Sequence, residues 1–64
     1  GSTIGFAVTS PAAADAWHAA GLANGGTPCE DPPGIREDST GKIYLAYLRD
    51  PAGNKICALY RIPA

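Results

Sequence analysis

The stretch "KIYLAYLR" over 42–49, followed by "DPAG" over 50–53 and "NKICALYR" over 54–61, reads as a β-hairpin and constrains the chain more than any other feature. Tyrosine and branched or aliphatic residues suit extended backbone. Asp50-Pro51-Ala52-Gly53 fits a type I turn that closes with a left-handed glycine. Pro63 ends the returning strand. Whatever else the chain does, it has to build on this hairpin.

It has little with which to do so. A chain of 64 residues hides only about 60% of its unfolded surface on folding, which makes a small core marginal. Small folds compensate with disulfides, a structural metal or association. Two cysteines, Cys29 and Cys57, and one histidine, His18, form no C-x-x-C and no cluster at zinc-ligand spacing. Association with a further piece of chain is therefore the expected way to complete the core. The formal net charge is −1, with lysine and arginine scattered singly along the sequence, so a nucleic-acid partner is not expected. No apolar run approaches the ~20 residues of a membrane span and no signal-peptide pattern opens the sequence. With so few cysteines, a cytoplasmic location is expected. Gly1-Ser2 has the look of a cloning remnant, which leaves residues 3–64 as one structural unit.

Upstream of the hairpin, "TIGFAV" over 3–8 alternates small with large residues, the mark of a strand with two unlike faces. Ile4, Phe6 and Val8 form the bulky face; Thr3, Gly5 and Ala7 form one that either packs against backbone or leaves room for a ligand. Ser10-Pro11 is a helix start, with a hydroxyl cap followed by proline at the position where a missing N–H costs nothing. An alanine-rich helix runs to about Asn24, with Trp17 as its only large anchor, and Gly25-Gly26 supplies a left-handed stop. An alanine face lets such a helix lie close on a sheet. Residues 27–41 hold three prolines and most of the acidic residues without a clear period. They read as a loop carrying a short strand around Thr27–Glu30 or around Ile35–Glu37.

At this point the chain resembles the second, C-terminal module of the vicinal-oxygen-chelate superfamily, which includes glyoxalases, bleomycin resistance proteins and dioxygenases. "TIGFAV" is similar to that family's opening strand, "SPAAADAWHAAGLANGG" to its helix and paired glycines, and "YLAYLRDPAGNKICALY" to its closing hairpin with D-P-x-G-N. Three segments in register span nearly the whole chain. The resemblance implies an α+β fold: a single βαβββ module, one helix packed on a small mixed or antiparallel sheet, forming half of a two-module cup. The second module, from the same chain or another copy, is the expected partner, together with a small-molecule ligand and without nucleic acid or membrane.

In metal-using members of the family, this module supplies a histidine at the start of its first strand and a glutamate in its last. The matching positions are Thr3 and Cys57. A threonine hydroxyl is a poor ligand, and one soft thiolate does not hold a hard divalent ion. No metal and no cofactor is expected from this half; a divalent metal in the complete protein stays open. With Cys57 on the concave side, alternation and the family's register put Leu59 and Arg61 beside it, facing Tyr47, Leu45 and Ile43. The candidate ligand-binding residues are thus Thr3, Ile43, Leu45, Tyr47, Cys57, Leu59 and Arg61. The other face, Tyr44, Ala46, Leu48, Ile56, Ala58 and Tyr60, is expected under the helix with Ile4, Phe6 and Val8.

Each candidate also has a plainer role. Tyr47 could bond a ligand or pack between half-sheets. Arg61 suits a ligand anion but equally a solvated strand end. Cys57 is expected to be buried and inert, since no lysine, arginine or helix start falls where it would lower the thiol's pKa. Cys29 lies in the loop, His18 on the helix away from the concave side, and Asp50 and Asn54 in a turn. The acidic loop from Glu30 to Asp38 could gate the cup or simply be solvated. No catalytic residue is named. Three functional readings remain: a metal-free small-molecule cup completed by a second module, a fragment of a metal-dependent lyase or dioxygenase, and a self-associating structural half-domain.

Overall fold

A computed structural model describes residues 3–30 and 32–63; the reading of Gly1-Ser2 as a cloning remnant lies outside it. The order of elements is β1 (Ile4–Ala7), α1 (Pro11–Ala23), β2 (Thr27–Pro28), β3 (Gly34–Asp38), β4 (Gly41–Arg49) and β5 (Lys55–Arg61). The sheet runs β1-β5-β4, with β2 and β3 sharing the outer edge of β4. β1 is parallel to β5 and the other pairings are antiparallel. Taking β2 and β3 as one interrupted edge strand, this is the expected α+β βαβββ module. No helix among the described residues is long and apolar enough to cross a membrane.

The loop expected over 27–41 is more ordered than its composition suggests. Both short strands form, where the sequence pointed to one or the other. The hairpin between β3 and β4 turns at Ser39-Thr40, between the paired Asp38 and Gly41. Asp38 Oδ1 accepts from the Thr40 N–H at 2.8 Å and from its hydroxyl at 2.6 Å, which replaces the backbone bonds lost in the turn.

The helix begins and ends as its sequence directs. Ser10 is extended and its hydroxyl accepts from the Ala13 N–H at 3.0 Å. At the far end Gly25 has φ +94°, its N–H donates to Leu22 O and the Gly26 N–H donates to Gly21 O, a Schellman closure. Between these caps the helix lies on β4 and β5 through its smallest residues. Ala14 is fully buried, as are Ala46, Ala58 and Leu48 on the sheet. Tyr44 Oη donates to Asp15 Oδ1 at 2.7 Å and ties the helix margin to β4.

One expectation fails. Ile4 and Phe6 point to the helix side but are not under the helix: they remain 54% and 47% exposed. α1 packs on β4 and β5 rather than on β1. Trp17 only leans toward the edge, its ring 6.3 Å from that of Phe6. A single helix about 10 Å wide covers two strands spaced ~4.8 Å apart, not three. Close approach of helix and sheet is made at Gly21, which lies against Leu48.

A Cβ built on Gly21 would stand 2.2 Å from Leu48 Cδ1. Gly21→Ala is accordingly expected to lower stability by about 1–3 kcal/mol through overpacking, even though alanine is the better helix former by about 1 kcal/mol. Urea denaturation checks this, and Leu48→Val in the same chain should recover part of the loss. An unchanged or raised midpoint for Gly21→Ala contradicts the packing described.

Candidate functional site

The face of the sheet turned away from the helix is set by the β4–β5 register. Ile43 pairs with Arg61, Leu45 with Leu59, Tyr47 with Cys57 and Arg49 with Lys55. Paired residues on neighbouring strands share a face. On β1, Gly5 is opposite Cys57 and Ala7 opposite Leu59; on β3, Arg36 is opposite Ile43. Six of the seven residues singled out from the sequence (Ile43, Leu45, Tyr47, Cys57, Leu59 and Arg61) therefore lie together on this face. The seventh, Thr3, precedes β1 and is exposed. Ile43, Leu45, Tyr47 and Leu59 are half-buried, so an aliphatic and aromatic floor stands open to one side.

Gly5 shapes the floor near β1. A Cβ there would meet Leu59 Cδ2 at 3.1 Å and Cys57 Sγ at 3.5 Å. The small face of β1 is thus occupied by side chains leaning over from β5, which is why Cys57 is buried. Burial pushes the Cys57 thiol up, and the positive charge of Lys55 only partly opposes it. The sequence reading that no cation stands near Cys57 is corrected: Lys55 does, two residues along the same strand and on the same face. The thiol nevertheless stays protonated, because desolvation is the larger effect.

Alternation also brings together charges that are scattered in the sequence. Of the five lysines and arginines, Arg36, Arg49, Lys55 and Arg61 occupy positions on this face, while Lys42 pairs with Glu37 on the other. The Lys55 ammonium lies over the Tyr47 ring, 4.8 Å from its centroid, in a cation–π contact. It also donates to Glu30 Oε1. The bond and charge of Lys55 hold the Glu30 carboxyl below its usual range, with Arg49 and Arg36 adding to the effect, and Glu30 in turn raises Lys55. Glu30 makes this reach from a left-handed backbone, φ 60°, which non-glycine residues adopt at a cost. Arg61 turns toward the β3–β4 hairpin, where its guanidinium donates to Thr40 Oγ1 at 3.2 Å. An open cleft there, lined by Glu37, Lys42, Arg61 and Pro63, lies beyond the end of the floor.

Lys55, Arg49 and Glu30 were not among the residues singled out, although the signal for two of them was available. The parity that selects Cys57, Leu59 and Arg61 also selects Lys55, and the one that selects Ile43, Leu45 and Tyr47 also selects Arg49. Glu30 had no such signal, because its position depends on the path between two short edge strands. His18 is half-buried on the helix, across the sheet from this face. Among the described residues, no three of histidine, cysteine, aspartate and glutamate gather as a metal site would require.

Because the Glu30 carboxyl is more acidic folded than unfolded, its contribution is complete above the ordinary value of 4.5 and fades as pH falls through the lower folded value. Carbon-detected NMR titration should give a Glu30 midpoint below 4.5, and Lys55→Gln should return it upward. A midpoint indifferent to Lys55→Gln would show that the pair does not form in solution. Separately, Cys57 should react with iodoacetamide at pH 8 more slowly than the half-buried Cys29, as mass spectrometry of timed samples would reveal.

No protein-family model matches the chain, and no curated protein matches it. Among solved structures, the chain is similar to the crystal structure of a glyoxalase/bleomycin resistance protein from Albidiferax ferrireducens T118. Sequence identity is 70% and the TM-score 0.90, over 94% of this chain and 48% of that one. The chain thus spans about half the length of that protein. With such identity along nearly all of its length, and with the topology described above, the chain is a βαβββ module similar to one half of a glyoxalase/bleomycin resistance protein.

Proposed function

We propose that the open face forms one wall of a small-molecule cup, closed by a second βαβββ module from the rest of a longer chain or from another copy, with no metal held by this half. The observation that carries the reading is a floor of Ile43, Leu45, Tyr47 and Leu59, left open in a chain that matches 48% of its structural neighbour. An aliphatic and aromatic surface with a few polar groups at its margin is what small-molecule sites are built from. A cytoplasmic location belongs to the same reading, supported by two cysteines that are both free.

The residues at the family's metal positions do not fit a divalent ion. Thr3 offers a neutral hydroxyl, and Cys57 is a buried thiol held in its protonated form. The Lys55 ammonium on the same face repels a cation. These observations favour a binding cup over a lyase or dioxygenase that relies on this half for metal ligands.

In the complete protein, a compound found by ligand screening should bind equally well with and without EDTA. Tyr47→Ala should weaken it by about 1 kcal/mol, roughly fivefold. Calorimetry measures both, and loss of binding on chelation would favour the metal-dependent reading instead. If a broad screen of the complete protein returned no ligand, the cup itself would be in doubt.

A further inference from the structure

We infer that the cup selects an anionic ligand, a small carboxylate with an aromatic or aliphatic body, and that Glu30 is a built-in stand-in which this ligand displaces from Lys55. The inference rests on the reading of the open face as a cup, and it adds the ligand's charge and a device that competes for it.

Three observations converge on Lys55. Its ammonium is fixed between the Tyr47 ring and the Glu30 carboxylate, so its position does not depend on Glu30 alone. The side chain keeps 28% of its surface accessible, at the margin of the apolar floor. Its own partner is already a carboxylate, which shows that the space above Lys55 accepts that group. Arg49 and Arg36 act on the same carboxylate, so the surrounding field favours a negative charge there. A ligand bearing a carboxylate could place it on Lys55 and lay its body over Tyr47 and the aliphatic floor beyond.

The second half of the argument concerns what holds Glu30. It extends from the stretch between β2 and β3, its backbone stands at φ 60°, and its side chain is 47% exposed. A contact of this kind between exposed groups is weak, and release would let the residue leave a left-handed conformation. Glu30 is therefore easily exchanged for a ligand that adds apolar contact to the same charge pairing. While it stays, it neutralises Lys55 and discourages neutral or cationic compounds less than it discourages anions.

The test uses matched acid and amide pairs on the complete protein: benzoate with benzamide, 1-naphthoate with 1-naphthamide, and indole-3-acetate with indole-3-acetamide. Calorimetry is expected to show a preference for the acid in at least one pair. Glu30→Gln should tighten the acid about two- to fivefold, the range of an exposed ion pair, and leave the amide unchanged. Lys55→Gln should abolish the preference. Hydrogen exchange at Cys29 and Glu30 should quicken with the acid and not with the amide, a change that a purely structural ion pair would not produce. Amide binding with no preference for the acid, or Glu30→Gln leaving the acid no tighter, overturns the exchange while the cup stands. Binding of neither member of any pair overturns both.

Discussion

The register of β4 against β5 is the constraint on which the rest depends. Asp50 and Asn54 fix it at the turn: the Asp50 N–H donates to Asn54 O at 2.8 Å, and the Asn54 N–H donates to Asp50 Oδ1 at 2.8 Å. Gly53 completes the turn at φ +92°, and Arg49 reaches across to its carbonyl at 3.0 Å. A slip of one residue would exchange the two faces of one strand. Leu48 would leave the helix, and the cations of β4 and β5 would part. Chemistry at the open face is thus decided by a turn that lies outside it.

The two faces solve different problems. At the centre of the helix side the contacts are made by small residues, with Tyr44, Tyr60, Leu48 and Ile56 around them. Thus α1 comes close enough for Gly21 to rest on Leu48 and for Ala14, Ala46 and Ala58 to be sealed. The open side carries longer aliphatic chains, one aromatic ring and most of the positive charge. A net charge of −1 conceals this separation, because the acidic residues Asp15, Asp38 and Asp50 are engaged on the helix and in turns. An average over the chain describes neither face.

What the sequence disclosed follows the range of the interactions involved. The helix limits, the hairpin and its turn depend on neighbours a few residues apart, and Ser10, Gly25 and Gly53 announce them. The two-faced sorting of β4 and β5 was legible because strand alternation is strict. The edge strands were harder: β2 and β3 are short, interrupted by prolines, and held by β4 rather than by a pattern of their own. The partial cover of β1 depends on how far a helix reaches across a sheet, which no local pattern encodes. Glu30 belongs to the same class, since its pairing with Lys55 joins residues brought near only by the completed sheet.

The parallel join of β1 to β5 also bears on how the module is made. Ile4 waits for Ile56, so this pairing closes the longest loop in the fold, and loops of that length are entropically slow to close. The hairpins of β3, β4 and β5 need only local turns and can assemble without β1. On a ribosome, β1 is therefore made well before its partner, and it cannot pair with β5 until nearly the whole module has emerged.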